Sequence, residues 1–328
     1  MIIVKFTSGL GNQMFQYAFY RMLQERYYET EIKADMTWFH ANDEHQGYEL
    51  ERIFKGVKDS TFWLEKATTK EIRNVTGIIP CFVSGKYGPL FEKLVYYPNR
   101  VLRLFSEKKY APYKIDELRE CFGVDTDQEQ MNRLIKKLYQ KVMHLDITKN
   151  WYLAGFWIEE MYYKERLEEG LLQKEFVFPK LTGYNAELAK DICSKNAISI
   201  HVRRGDYLGK YASDFIALGR DYYEKAVSYI EERITQPTYY IFSDDSVFVE
   251  QEFSWLSDKV IVSHNVGSES YRDMQLMTLC RHNIIANSTF SQWGAFLNQN
   301  EGHITVYPRA YMRTKDNEIK SLTNWVML

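Results

Sequence analysis

Between residues 197 and 307, short apolar runs alternate with amphipathic stretches, and this alternation limits the possible folds more than any other feature. Runs at 197–202, 238–242, 259–262, 282–286 and 303–307 are rich in β-branched and aromatic residues and read as strands. The intervening stretches 221–234, 246–256, 269–280 and 292–298 read as helices. Tyr222, Ala226, Tyr229 and Ile230 share one face at helical spacing, as do Tyr271, Met274 and Met277. Strands separated by single helices predict a parallel, doubly wound sheet, because each parallel connection must cross back over one face.

The N-terminal half opens in the same way: a strand at 2–6, a glycine turn at 9–11, a helix at 12–27 and a strand at 31–34. The pattern then weakens. Residues 40–120 carry short segments rich in aromatics, glycine and charge, followed by a helix at 127–143 and a strand at 152–156. Gly170, Pro179 and Gly183 mark the expected boundary, which gives an N-terminal α/β domain over 1–180 and a C-terminal doubly wound domain over 181–328. The segment after Pro308 is expected to hold a last helix that crosses back to the first half. The fold class expected is α/β, two Rossmann-like domains with a cleft between them; the glycosyltransferase B type is one such architecture among other possibilities.

Composition narrows the function. A hydrophobic fraction of 45% argues against global disorder, and a formal net charge of −2 disfavours a general nucleic-acid binder. No apolar run approaches the ~20 residues of a membrane helix. Residues 1–6 read as a strand without a cationic flank, so no signal peptide is expected. Cys81, Cys121, Cys193 and Cys280 form no CxxC and read as reduced thiols of a cytoplasmic protein. No zinc spacing occurs among the seven histidines and four cysteines.

Four motifs lie where strands lead into helices. Ser8-Gly-Leu-Gly-Asn-Gln-Met14 has two glycines that let backbone amides approach a ligand, and a helix start that favours an anion. Met14 stands where a dinucleotide fingerprint has its third glycine, so Gly11 and Asn12 read either as ligand contacts or as a tight turn in which Asn12 is the N-cap. His201-Val-Arg203-Arg204-Gly-Asp206 follows a buried strand, and paired arginines there suit bidentate phosphate recognition. His201 taken alone is a core histidine, and Asp206 orients an arginine, caps a loop or serves as a base.

Ser243-Asp244-Asp245 follows the next strand. A carboxylate there accepts from a ribose or guanine donor, or Asp245 or Ser246 caps the following helix. Asn287-Ser288-Thr289-Phe290-Ser291-Gln292-Trp293 offers hydroxyls and amides as a second anion cradle, with Ser291 as the alternative N-cap and Trp293 in the core. Asp125-Thr126-Asp127 spells a metal-binding DxD, but it precedes a helix; Thr126 and Glu129 make a capping box there, and the string reads as structural.

Together these elements resemble the bacterial α-1,2-fucosyltransferases of glycosyltransferase family 11. The resemblance rests on Gly9 to Ala18, His201 to Tyr207, Phe242 to Asp245, Ala286 to Ala295, and the Asp273 to Asn283 stretch. One departure is Gln292, where the family more often has a second tryptophan. The resemblance implies GDP-β-L-fucose as donor, inverting transfer to the 2-hydroxyl of a terminal β-galactoside, and no cofactor or metal. Arg203, with Arg204 and the amides around Gly11 and Ser288, Thr289 and Phe290, would stabilise the diphosphate leaving group. Asp244 or Asp245 would hold guanosine, and His201 the nucleotide or sugar. Asp206 is the expected base. The N-terminal domain is the expected acceptor side.

Three rivals remain at this point. A nicotinamide-dependent oxidoreductase would use Gly9 to Gly11, with Asp35 on the ribose, but leaves the arginines without a task. A non-catalytic nucleotide-sugar-binding module would use the same motifs without turnover. An α-1,6- or protein O-fucosyltransferase shares the HxRRxD string. The expected location is cytoplasmic, or peripheral at the inner membrane face; the oligomeric state is not legible.

Overall fold

A computed structural model gives the fold and describes residues 1–42, 45–80, 90, 93–101, 113–122, 127–312, 315–316 and 325–328. The chain divides into two compact units, Met1–Val177 and Phe178–Leu328. Each is an α/β unit built on a parallel sheet.

The first sheet holds β1 (Ile2–Lys5), β2 (Ile32–Asp35), β3 (Lys114–Asp116) and β4 (Trp151–Ala154) in the order β2-β1-β4-β3, all parallel. Ile2, Ile3 and Val4 are fully buried, as a strand covered on both faces requires. The helix Leu10–Arg26 follows. Met14, Phe15, Tyr17, Ala18, Phe19 and Tyr20 are all buried, so apolar residues surround it as in a core helix. Phe19 stacks on Trp157 at 4.0 Å between ring centroids. The strand expected at 152–156 is β4, which begins one residue earlier and ends at Ala154. β3 has no counterpart in the sequence reading.

The second sheet holds β5 (Asn196–Val202), β6 (Pro237–Ser243), β7 (Lys259–Val262), β8 (His282–Ile284) and β9 (Thr305–Tyr307). A small antiparallel pair follows, β10 (Ala310–Met312) with β11 (Lys315–Asp316). The described chain ends in β12 (Trp325–Met327), which joins β9 in parallel. The sheet order is β12-β9-β8-β5-β6-β7. Much of the segment after Pro308, where a last helix was expected, lies outside the described residues.

Period-two alternation sorts the β5 side chains. Ile198, Ile200 and Val202 face a core shared with Tyr223, Val227 and Ile230 of the helix Arg220–Glu231. Ala197 faces the opposite core, with Leu188 and Ile192 of the helix Gly183–Cys193 and Met277 of the helix Tyr271–Leu279. His201 shares the parity of Ala197. Gly294, on the helix Thr289–Phe296, lies so close to Met277 that an added Cβ would sit 3.0 Å from the Met277 Cβ.

Cys121 and Cys280 are buried thiols and Cys193 is exposed; Cys81 lies outside the described residues. Asp125 and Thr126 also lie outside them. The N-cap of the helix Gln128–Met143 is Asp127, whose Oδ1 accepts the Gln130 N–H at 2.8 Å.

Candidate functional site

Each sheet has one point where the strand order reverses, and that is where open α/β sheets take ligands. In the second unit the reversal falls between β5 and β8: β6 and β7 lie to one side, β9 and β12 to the other. β5 runs into Arg203 to Asp206, and β8 runs into Ile285 to Ser288. The second and fourth motifs therefore flank the switch point. The third follows β6, next to β5.

The loop after β5 is held in shape by carboxylates. Asp244 Oδ1 accepts the Arg204 N–H at 3.0 Å and Oδ2 accepts the Gly205 N–H at 3.2 Å. A Cβ at Gly205 would stand 3.0 Å from that second oxygen, so glycine permits the approach. Arg203 lies 3.2 Å from the same Asp244 oxygen and donates two parallel hydrogen bonds to Asp206, at 2.9 and 2.8 Å. Both Asp206 oxygens are thus engaged by Arg203. Of the three roles open to Asp206, the structure displays the orientation of an arginine.

The two arginines diverge. The Arg204 guanidinium lies 3.4 Å from the centroid of the Phe248 ring, and its Nε is 3.3 Å from Asp245 Oδ2. Asp245 also caps the helix Ser246–Glu252, its Oδ1 accepting the Phe248 N–H at 3.1 Å. Arg203, Arg204, Asp206, Asp244 and Asp245 together carry a formal excess of one negative charge. An incoming diphosphate must therefore replace carboxylate contacts instead of meeting bare cations. Burial pulls the Arg203 guanidinium down, but the Asp206 hydrogen bonds and the Asp244 charge outweigh it and raise it above its ordinary value.

His201 is buried, and burial, followed by the Arg203 charge, lowers its imidazole to about 3. It is neutral throughout the physiological range. That suits it to hydrogen bonding and not to proton shuttling. Its Nδ1 is buried without a hydrogen-bond partner among the described residues, and its ring lies 5.7 Å from the Phe290 ring. The Asn287 Oδ1 is a second buried polar atom without a partner among them. Orphaned polar atoms at a switch point are what a ligand site leaves when described alone.

The fourth motif is tied down from several sides. The Tyr207 hydroxyl donates to the Asn287 carbonyl at 2.8 Å, and Asn287 Nδ2 donates to the carbonyls of Ile216 and Tyr311. Ser288 is the N-cap of the helix Thr289–Phe296 and makes no side-chain cap bond. Thr289 and Phe290 occupy the first turn, whose N–H groups have no intrahelical acceptor. Ser291, the alternative cap, instead sits inside the helix with its Oγ bonded to the Ser288 carbonyl at 3.2 Å. Trp293 is fully buried, in the core as expected.

In the first unit the order reverses between β1 and β4. The helix after β1 starts at Leu10 with Gly9 as N-cap, so Gly11 and Asn12 lie in its first turn and Asn12 is not the cap. Ser8 stands in the left-handed region at φ 66°, and Trp157, after β4, at φ 57°. Two buried glutamines hold these loops. Gln16 Nε2 donates to the Gly155 carbonyl at 2.9 Å, and Gln13 Nε2 donates to the carbonyls of Ser8 and Gly47, both at 2.8 Å.

The family model for glycosyl transferase family 11 matches residues 98–328. The chain belongs to glycosyltransferase family 11. It is 30% identical to the O-antigen biosynthesis glycosyltransferase WbnK of Escherichia coli, over 98% of both chains. It is 26% identical to an alpha-1,2-colitosyltransferase of the same species, over 96% of this chain and 94% of the relative. A galactoside alpha-(1,2)-fucosyltransferase 2 of Mus musculus is 28% identical over 35% of this chain and 33% of its own. Among solved structures, the α-1,6-fucosyltransferase NodZ soaked with GDP-fucose overlays with a TM-score of 0.48 at 13% identity, covering 90% of this chain and 92% of that one.

In this family 11 glycosyltransferase, reading single residues missed one group at the carboxyl edge of the second sheet. Asp273 accepts from Asn265 Nδ2 at 2.7 Å, and Asn265 pairs with Asn185. Burial pushes its carboxyl up to about 7, against the Asn265 hydrogen bond that lowers it. The available signal was an acidic side chain opening a helix of Met, Leu and Gln. Among the described residues, no group of three or more His, Cys, Asp and Glu is placed to hold a metal ion.

Proposed function

We propose that the protein transfers L-fucose from GDP-β-L-fucose, with inversion, to the 2-hydroxyl of a terminal β-galactoside. The observation that carries this reading is the placement of the Arg203 loop and the Ser288–Phe290 helix start on the two sides of the second unit's switch point. Family membership, the 1,2-linkage in the names of two relatives and the fucosyl donor in one of them support it.

As the glycosidic bond breaks, negative charge develops on the departing diphosphate. In this reading Arg203 keeps its two bonds to Asp206 and exchanges its Asp244 contact for phosphate oxygen, and the Thr289 and Phe290 amides meet the same anion at a helix N-terminus. Arg204, held between Phe248 and Asp245, adds a second cation. Asp206 positions Arg203 and is not the base. His201 Nδ1 offers the nucleotide or sugar a hydrogen bond. No metal ion or cofactor enters the scheme. Gly11 and Asn12 are the first unit's own candidates for an anionic group, and that unit is the proposed acceptor side.

The name of the colitosyltransferase relative favours a second reading: the same linkage made with colitose. Incubating the enzyme with GDP-fucose, and separately with a colitosyl nucleotide, against lactose, N-acetyllactosamine and lacto-N-biose tests both. Assignment of the product linkage by NMR as α-1,2, with activity that survives EDTA, is the expected result. Loss of activity on chelation, an α-1,6 product, or GDP binding without turnover on any acceptor would overturn it.

A further inference from the structure

The helix over 93–101 is inside out. Amphipathic helices turn their apolar stripe to the core. Here the two partly buried positions are Val95 and Asn99. Asn99 fastens the helix to the chain by an amide clasp: its Oδ1 accepts the Ile79 N–H at 2.7 Å and its Nδ2 donates to the Ile79 carbonyl at 3.0 Å. On the opposite side stand Leu94, 64% exposed, Tyr97, 72%, and Val101, 55%; Leu90, nearby in sequence, is 57% exposed. At ~100° per residue Leu94, Tyr97 and Val101 fall within an arc of about 60°.

Five of the fifteen large apolar side chains exposed among the described residues lie between 90 and 101 (the fifth is Tyr96), so this is a patch and not the scattered singles of any surface. Lys93 and Arg100 border the stripe on one side. Residues 90–101 carry Lys93 and Arg100 against a single acidic residue, Glu92, in a chain whose net charge is −2.

We propose that this helix docks the protein on an anionic lipid surface, lying in the plane of the interface. Aliphatic side chains on one arc, tyrosines that present a ring and a polar tip, and cations along the border suit the boundary between acyl chains and anionic headgroups. Among the described residues no helix is long and apolar enough to cross a membrane, so the contact is a surface one. The inference does not depend on which sugar the enzyme transfers.

Co-sedimentation of the full chain with sucrose-loaded vesicles tests it. The vesicles are phosphatidylcholine alone, or with about 30 mol% phosphatidylglycerol to supply the anionic potential. The expected result is binding to the anionic vesicles that is lost at high salt and is weak on neutral ones. Two charge reversals, K93E/R100E, should lower the partition coefficient at least roughly 30-fold, at about fivefold per charge removed and more on reversal. L94E/V101E should do likewise, with circular dichroism and GDP binding of both variants unchanged. Absence of salt-sensitive binding by the unaltered protein would overturn the proposal, and that arm needs no variant. So would folded variants that bind as well as wild type, or sedimentation equilibrium showing a dimer that L94E/V101E dissociates.

Discussion

The Tyr207 hydroxyl donates to the Asn287 carbonyl at 2.8 Å, across 80 residues of sequence. This bond joins the loop after β5 to the loop after β8, the two sides of the switch point. Tyr207→Phe keeps the ring and removes the bond. A net loss of about 0.5–1.5 kcal/mol is expected, read as a roughly 2- to 12-fold rise in the GDP dissociation constant by calorimetry. An unchanged constant would mean the two loops are held independently of that bond.

Asp206→Asn separates positioning from proton transfer. With Asp206 positioning Arg203, kcat should fall roughly tenfold, the GDP affinity should stay within about threefold, and the pH profile should keep its shape. A base would show a loss of ~10²–10⁴ and the disappearance of the acidic limb.

Gly205→Ala places a Cβ 3.0 Å from the Asp244 oxygen that accepts the Gly205 N–H. Relieving that crowding breaks an amide–carboxylate bond and moves the arginine loop. GDP affinity should drop by about tenfold, on the scale of a charge-assisted hydrogen bond. Thermal unfolding should shift only slightly, because Gly205 is exposed.

Asp273 and His201 push stability in opposite directions with pH. His201, lowered to about 3, binds fewer protons folded than unfolded, so its contribution is lost as pH falls below about 6.5. Asp273, raised to about 7, binds more protons folded, so its contribution is lost as pH rises toward 7. Asp273→Asn removes the second trend. Between pH 4 and 6.5 the unfolding free energy should then rise with pH more steeply, by up to ~1.4 kcal/mol per unit. Urea titrations of both proteins at several pH values measure this, and parallel slopes would contradict it.

What could be read from the sequence follows from period and locality. The second unit was legible because β5 to β9 are apolar runs bounded by helices, and 3.6- and 2-residue periods are local signals. Lys114–Asp116 was not, because a three-residue strand with two charged residues carries no period. The motifs were placed correctly at strand ends, but their partners were not visible. Asp244 read as a nucleoside acceptor, and the amides it holds, 40 and 39 residues earlier in the chain, left no trace in the local sequence. Asn12 read as a cap because a glycine turn hides where the helix begins; Ser8, in the left-handed region, lets Gly9 take that position.

The central claim is that Arg203 reaches the terminal phosphate of the donor nucleotide, and calorimetric titration with GDP and GMP tests it most directly. Wild type should bind GDP at least roughly tenfold more tightly than GMP, and Arg203→Ala should bind the two alike. An Arg203→Ala protein that keeps the full preference for GDP would contradict the account.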